Sequence, residues 1–388
     1  MKKIIICLLA MAGSIALFAQ DAPAEEKKEW QWSGVVGLNA SATGMVNWAA
    51  GGVNNVTGVA FGKVRLLYDK PDYSWETNLD VEYGMSYLDQ KYDKFQKSSD
   101  HLVFNTKFGW AFKPQWYLTV QAGFQTQFDF GRKYTGSNAP NEIISNILAP
   151  SYTDISIGID WKPNSIFSIY LSPVAGRITT AYTSNKVQDR FADYLRDVEQ
   201  AADPNADVSA IADYNLREAL QEKYGTWKYD DSETGYHKKY KNYKASLGLT
   251  LKGSVNYTYK DLKIMSTVTL FTPYAWDKTK LYQVTGTDVA GAAYDGIHNG
   301  SQVDKLIADG YAITADYIGY RDNNQRFGNF DVDWTVAISY QFLKCLNVTL
   351  STDLKYYNGV KIANKDGENP TERVQFKSVL GIGVGYSF

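Results

Sequence analysis

The sequence predicts an all-β fold: a transmembrane antiparallel up-and-down β-barrel of about 12 strands, with a helical insert in a long extracellular loop. Three observations predict it. The N-terminus resembles an export signal, apolar and polar residues alternate with a period of two, and short connectors alternate with long ones. The 388 residues are 44% hydrophobic and 14% aromatic, which excludes disorder for the bulk of the chain.

The N-terminus predicts a cleaved signal peptide over residues 1–19. Lys2 and Lys3 precede an apolar run, Ile4–Phe18, and the small residue Ala19 marks the cleavage point. The run is shorter than the roughly 20 residues that a membrane-spanning helix requires. We therefore expect residues 20–29 to form a periplasmic segment and residues 30–388 to form the barrel.

Period-two alternation recurs along the rest of the chain. It predicts strands at 30–42, 59–68, 74–84, 102–112, 116–130, 152–161, 166–174, 245–257, 263–272, 330–342, 347–356 and 374–388. Short connectors are expected at 69–72, 113–115, 162–164, 260–261 and 344–345, and long ones at 43–58, 85–101, 131–151, 175–244, 273–329 and 357–373. Tight turns at one end and long loops at the other are typical of outer-membrane barrels.

The charged residues indicate which face of each strand meets lipid. In strand 59–68, Lys63 and Arg65 alternate with an apolar set. A register shift of one residue would place both cations in hydrocarbon, at about 2–4 kcal/mol each near the midplane. The candidates for lining the lumen are Lys63, Arg65, Glu76, Asp80, Glu82, Lys107, Asp129, Asp160, Lys252, Asp331 and Asp333.

A soluble β-sandwich is the alternative, because its strands also alternate. Strand length and loop asymmetry favour the barrel, as does the C-terminal segment. That segment alternates apolar residues and ends on the aromatic Phe388. It resembles the signal by which the outer-membrane assembly machinery recognises barrels, so we expect that machinery and outer-membrane lipid as partners.

Several segments resemble a family of Gram-negative outer-membrane proteins known as a domain of unknown function. They are Asn47-Trp48-Ala49-Ala50-Gly51-Gly52, Tyr83-Gly84, Thr126-Gln127-Phe128, Ile144-Ser145, Leu148-Ala149-Pro150 and Leu171-Ser172-Pro173. The resemblance covers about residues 30–180 and continues in the C-terminal half mainly by pattern. It implies a single-chain barrel in the outer membrane of a Gram-negative bacterium, with no assigned activity.

Two loops carry features of their own. The glycine-rich loop around Trp48 is interpreted as a constriction folded into the lumen, or alternatively as a tight extracellular turn. Within the loop at about 175–244, the spacing predicts a helix from Asn185 and a second from about Asp207. This insert is either a lid or docking surface, or a self-packed element that hides its own apolar residues. A shorter helix is expected from Gln302 to Asp309.

Composition argues against several function classes. A net charge of −2 lacks the excess of positive charge that nucleic-acid binding requires. Two cysteines and three dispersed histidines predict no metal site and no cofactor. No serine or cysteine nucleophile has a sequence spacing from a histidine that would indicate a catalytic pair, so we expect no enzyme. Acidic stretches at Asp230–Glu233 and Asp366–Glu368 could bind calcium, but neither reproduces an EF-hand loop.

The leading hypothesis is a narrow, porin-like channel for passive transport of small polar solutes, because about 12 strands permit a narrow or loop-blocked lumen. The alternative is a non-conducting accessory subunit that binds other outer-membrane proteins through the loop at 175–244. A lipid-directed enzyme is a weaker alternative. The lumen charges are expected either to cross-link the barrel wall or to form a cation-preferring pore or an acid–base pair.

Overall fold

The computed structural model describes residues 30–387, except residues 46–52, 138–140, 165, 206, 210–214, 233, 322–325, 344–345 and 363–370. The signal-peptide prediction, the segment 20–29 and Trp48 lie outside the described residues. In the part of the chain that is described, no helix combines the length and apolarity needed to cross a membrane.

Twelve long antiparallel strands close into a barrel, which confirms the predicted fold class. In barrel order they are β1 (Trp30–Thr43), β2 (Asn55–Asp69), β3 (Tyr73–Leu88), β4 (Phe95–Lys113), β5 (Trp116–Thr126), β8 (Ser151–Trp161), β9 (Phe167–Thr180), β12 (Tyr243–Tyr259), β13 (Leu262–Pro273), β17 (Asp331–Leu343), β18 (Leu346–Tyr356) and β21 (Gln375–Ser387). Strand β1 pairs with β21 and closes the ring.

The connectors alternate in length as predicted, with one exception. The connector between β3 and β4 was expected at 85–101, but only residues 89–94 remain outside these two strands. The two strands extend as a hairpin in which Tyr87 pairs with Phe95 and Gly84 with Ser99. The polar run around Ser99 gives no apolar alternation, so the sequence pattern did not reveal this extension.

The outer face of the barrel is apolar and uncovered. Ile157 and Leu171 are each 47% exposed, and Val120 is 43% exposed, although all three lie in the middle of long strands. Aromatic pairs mark the short-turn end of this face: the ring of Trp30 lies 4.7 Å from that of Tyr68, and the ring of Trp116 lies 6.0 Å from that of Trp161. A band of apolar side chains with an aromatic border is the surface that a barrel presents to lipid.

A bulge between β8 and β9 changes the phase of alternation. Gly158 lies at the point where the pairing shifts, and a Cβ atom there would collide with the carbonyl oxygen of Leu171. On β9 the inward set is Tyr170 and Ser172 before the bulge, and Arg177 after it. Without the bulge, Arg177 would face lipid.

The long connectors fold into a layer at one end of the barrel. Its strands are β6 (Gly131–Lys133), β7 (Glu142–Ser145), β10 (Trp227–Ser232), β11 (Gly235–Tyr240), β14 (Lys280–Thr287), β15 (Ala293–Asn299), β16 (Ala312–Tyr320), β19 (Lys361–Ile362) and β20 (Thr371–Glu372). Its helices are α1 (Asn185–Ala202), α2 (Leu216–Lys223) and α3 (Gly300–Ala308). Strands β14, β15 and β16 form one three-stranded sheet.

Side-chain caps fix where the helices begin. The Ser184 side chain accepts a hydrogen bond from the Val187 amide and starts α1, so Asn185 is its first residue. Helix α2 starts at Leu216 behind the Asn215 cap, and the part of the predicted second helix over residues 210–214 lies outside the described residues. Asn299 and Gln302 form a capping box at α3, within two residues of the predicted start.

Candidate functional site

Contacts between strands that are not neighbours identify the inner face of the barrel. Lys377 on β21 donates to the Ser99 hydroxyl on β4 over 3.4 Å, although β1, β2 and β3 lie between these strands. Arg177 on β9 lies 3.2 Å from Asp331 on β17, with β12 and β13 between them. Side chains can meet in this way only across the interior, so the interior is the candidate site.

The half of the interior near the short turns is charged and open. Lys63 Nζ lies 2.8 Å from Asp80, and Arg65 Nε lies 2.7 Å from Glu76. The side chains of Lys63 and Arg65 remain 46% and 45% exposed although they face inward. Water therefore reaches the interior at this end.

Two of the candidates pair with residues that the sequence analysis did not single out. His101 Nε2 lies 3.3 Å from the Asp80 carboxylate. The Ser99 hydroxyl donates to Glu82, and it also receives the bond from Lys377. Ser99 was assigned to a loop, and its position on the inner wall depends on the extension of β4 that the sequence pattern did not reveal.

A compact charged group surrounds Asp160, the last residue but one of β8, on the inner wall. Lys107 Nζ lies 2.5 Å from Asp160 Oδ2, and Lys162 Nζ lies 3.6 Å from the same oxygen. Asp160 has no exposed surface, and its neighbour on β9, Tyr170, is 1% exposed. Lys252 on β12 pairs in register with Tyr170, so it continues the same inner row.

Arg177 occupies the interior at the long-loop end. Its guanidinium lies 2.7 Å from Asp154, 3.2 Å from Asp331 and 3.8 Å from Asp333. The side chain is only 10% exposed, and it packs over the Phe271 ring at 4.8 Å. One buried cation thus links strands β8, β9 and β17 across the mouth of the barrel.

Aromatic side chains make further contacts at this mouth of the barrel. The Tyr357 hydroxyl donates to Asp333 over 2.6 Å, and its ring lies 5.3 Å from that of Tyr152 on the far side of the mouth. The Asn358 amide donates to Asp331 over 2.8 Å and holds the loop after β18 against the mouth. Among the described residues, the interior thus has exposed charged groups at the short-turn end and is narrowed at the long-loop end by contacts between the β8–β9 side and the β17–β18 side.

The sequence analysis predicted Asp331 and Asp333 as lumen residues, but it did not predict Arg177, the cation that lies between them and Asp154. Arg177 lies outside the predicted strand 166–174, because the bulge interrupts the alternation on which that prediction depended. The fixed period of two was the wrong assumption at this position. The available signal was the continued alternation of Ala175, Arg177 and Thr179 in the shifted phase.

Asp129 differs from the other candidates. Strand β5 ends at Thr126, so Asp129 lies beyond the barrel wall. Its carboxylate accepts a 2.8 Å hydrogen bond from Tyr83, a residue of the outward set of β3. Asp129 therefore lies at the rim beside the outer face, and its assignment to the lumen is corrected. Period-two alternation was extended too far here, through a segment that turns away from the strand.

The loop layer has cores of its own. Phe191 of α1 and Leu216 and Leu220 of α2 pack with Ile143 and Ala181. A second core joins Trp227, Tyr229, Tyr236 and Leu281. The apolar faces of the two helices are thus buried within the layer, as the self-packed interpretation of the insert requires.

His298 lies buried where the β10–β11 hairpin meets the three-stranded sheet. It is 5% exposed, and the distance from its Nε2 to the Tyr294 hydroxyl is 2.6 Å. Burial lowers the pKa of His298 below its ordinary value, against the smaller raising effect of a hydrogen bond with Gln302. This side of the loop layer is therefore built around a neutral imidazole.

A closed barrel with an apolar outer face and a charged, partly wet interior defines the outer-membrane type of β-barrel. The sequence profile of a family described as "Protein of unknown function (DUF3078)" matches residues 40–131. The match includes the segments Asn47–Gly52, Tyr83-Gly84 and Thr126–Phe128, and it confirms the family resemblance. No curated protein matches the sequence at a significant level.

Several solved structures are similar to this chain. An outer-membrane channel from Pseudomonas putida F1 is 10% identical, with a TM-score of 0.34 and coverage of 95% of this chain and 100% of its own. The translocator domain of the autotransporter NalP from Neisseria meningitidis is 8% identical, with a TM-score of 0.34 and coverage of 100% and 96%. At these values no residue role passes to this chain, whose fold is established by its own strand pairing.

Proposed function

We propose that the protein is a channel for small polar solutes in the outer membrane of a Gram-negative bacterium, narrowed at its long-loop mouth by Arg177 and its partners. The observation that carries the proposal is the charged wall inside the barrel, where the side chains of Lys63 and Arg65 are nearly half exposed and Arg177 narrows the other end. A purely structural interior would have no need of nearly half-exposed cations at one end.

The orientation follows from the loops. Short turns are periplasmic in barrels of this type and long loops extracellular, so the Arg177 mouth would face the outside of the cell. An epitope tag at Asp203, after the exposed end of α1, should be accessible to antibody on intact cells. If the tag is detected only after the outer membrane is permeabilised, the orientation is wrong.

Planar-bilayer recording tests the channel directly. Purified protein should give small stepwise conductances, because Arg177 narrows one mouth without filling the interior below it. Arg177→Gln should give larger steps, and Arg196→Gln, which removes a cation on α1 in the loop layer, should not. The absence of steps from both the natural protein and Arg177→Gln would overturn the proposal.

A second candidate function, an accessory subunit that binds other outer-membrane proteins, is favoured by one patch. Trp276 is 65% exposed and lies 4.6 Å from Phe327, which stacks 6.0 Å from Tyr274 beyond the end of β13. Purification in mild detergent should recover a defined partner that Trp276→Ala loses. Recovery of the barrel alone, with channel activity, would reject this alternative.

A further inference from the structure

Two different contacts narrow the long-loop mouth, and they cross different parts of it. Arg177 on β9 reaches Asp331 on β17, with β12 and β13 between these strands. The rings of Tyr357, which follows β18, and Tyr152 on β8 lie 5.3 Å apart. In the closed ring, β8 and β18 are separated by four strands on one side and six on the other. The tyrosine pair therefore crosses nearly the full width of the mouth, whereas Arg177 crosses one side of it.

Tyr357 lies on a tight turn at residues 357–360, which we call the mouth turn. It lies between the end of β18 and the start of β19, outside the barrel strands. The Val360 amide donates to the Tyr357 carbonyl over 3.3 Å, and Gly359 has a φ of +84°, in the left-handed region that favours glycine. The mouth turn can therefore change position without breaking the pairing of the barrel wall.

Hydrogen bonds to two carboxylates of β17 hold the mouth turn in place. The Tyr357 hydroxyl donates to Asp333 over 2.6 Å. The backbone and side-chain amides of Asn358 donate to Asp331 over 2.8 Å and 3.3 Å. Tyr357 and Asn358 are both buried in this position, so the mouth turn fills space at the mouth.

The two carboxylates have other partners on the barrel wall. Arg177 lies 3.2 Å from Asp331 and 3.8 Å from Asp333. Lys355 on β18 lies 3.9 Å from Asp333. A buried carboxylate is costly when it loses its counterion. Both carboxylates keep a counterion when the mouth turn leaves, so its release does not carry that cost.

We propose that the mouth turn is the gate of the channel, closed where Tyr357 meets Tyr152 and open when the turn leaves the carboxylates of β17. Arg177 stays with the wall and sets the width of the open path. The hydrogen bonds of the mouth turn set how often the path opens. The inference names the regulation of the proposed channel and rests on that function.

Bilayer recording separates the two roles, because the gate changes the fraction of time spent open and Arg177 changes the size of the step. Tyr357→Phe keeps the ring and loses the hydrogen bond to Asp333, so the open fraction should rise about tenfold with no change in step size. Tyr317→Phe, which removes a hydroxyl in the three-stranded sheet, is the matched control and should leave both unchanged. Equal open fractions in Tyr357→Phe and the natural protein would overturn the gate.

A cross-link tests whether the mouth turn must move. In a Cys345→Ser background, a reducible cross-link between Tyr152→Cys and Tyr357→Cys should abolish the steps, and reduction should restore them. The control cross-link, between Ser339→Cys and Thr349→Cys, joins β17 and β18 where they already pair, and the steps should persist. Steps that also persist in the first cross-linked protein would overturn the gate.

A distance measurement tests the gate without any need for conductance. Spin labels at Val360→Cys, on the mouth turn, and at Gln125→Cys, on β5 opposite Tyr152, would be measured in lipid nanodiscs in the Cys345→Ser background. The label pair alone should give mainly one shorter distance, and adding Tyr357→Phe should populate a second, longer one. A single unchanged distance in both proteins would overturn the gate.

The outcomes separate the gate from the channel itself. Stepwise conductance with an open fraction that neither Tyr357→Phe nor the cross-link changes would retain the channel and reject the gate. A longer distance in Tyr357→Phe, without conductance in any variant, would retain the movement of the turn and reject the channel.

Discussion

Arg177 is the residue that holds the long-loop mouth in its narrowed form. Its guanidinium faces Asp154, Asp331 and Asp333, and it thereby joins the paired strands β8 and β9 to β17, which is not their neighbour in the barrel. Removing one member of a buried ion pair costs about 3–5 kcal/mol, because the remaining charges stay desolvated without a partner. Here the remaining charges would be three carboxylates that repel one another.

Arg177→Gln should therefore widen the mouth and lower the stability of the barrel. We expect larger unit conductance and an earlier thermal transition, measured by bilayer recording and by loss of the folded band on unheated gels. Asp331→Asn should have a weaker effect in the same direction, because two aspartates would remain. Equal unit conductance in Arg177→Gln and the natural protein would show that Arg177 does not limit ion flow through the mouth.

His298 makes the loop layer sensitive to acid. The pKa of His298 is lowered by burial in the folded layer, whereas in an unfolded loop it lies near 6.5. Above about pH 6.5 both states are neutral and the layer is fully stable. As the pH falls below that value, the unfolded loop gains a proton that the folded layer resists, so stability is lost.

Limited proteolysis should detect this loss. Cleavage within 280–320 should accelerate between pH 7.5 and about pH 5.5, while the barrel strands remain intact. His298→Gln should remove most of the pH dependence, and His237→Gln, at a more exposed position on β11, should remove less of it, because His237 makes only a minor contribution to the lowered pKa of His298. Equal cleavage rates at both pH values in the natural protein would contradict the prediction.

At the scale of the strand, the seam between β1 and β21 is the weakest part of the barrel. Strand β1 pairs with β2 through fourteen residue pairs but with β21 through five, from Val35 with Ser387 to Asn39 with Gly383, among the residues described. Residues 40–43 therefore lack backbone partners on the β21 side. Leu380 is 71% exposed, against 47% for Leu171 in a fully paired strand, which reflects the missing neighbour.

Hydrogen–deuterium exchange in lipid nanodiscs should reveal this seam. Peptides covering 40–43 and 376–382 should exchange faster than peptides covering 57–66, because backbone groups without partners open more readily than fully paired ones. The β17–β18 pair provides an internal control, since it is bonded along nearly its whole length. Uniform protection around the ring would show that the seam is closed in the membrane.

The strands also show where sequence reasoning succeeded and where it failed. Segments with strict alternation, such as β17 and β18, were predicted within about one residue, because charge in hydrocarbon fixes their register. The continuation of β9 past its bulge was missed because Gly158 and Pro173 break the period. The small strands of the loop layer were missed because they are short and lie among polar residues.

For the whole molecule, the strand face that carries charge was predictable, and the pairing of the charged residues was not. Lys63 and Arg65 could be placed on the inner wall from alternation alone, since the other register would put cations in lipid. Which carboxylate each cation meets depends on strand order and stagger, and neither is encoded in a local pattern. The contact of Lys107 on β4 with Asp160 on β8, across the intervening strand β5, appears only in the closed ring.

Adjacent residues of one strand test the barrel in the membrane most directly. In a Cys345→Ser background, single cysteines at Val120 and Gln121 would carry the same fluorophore in bilayers with brominated acyl chains. The label at Val120, on the exposed apolar face, should be quenched by the lipid, and the label at Gln121 should respond only to a water-soluble quencher. Equal lipid quenching at both positions, or none at either, would contradict a lipid-facing outer wall and a wet interior.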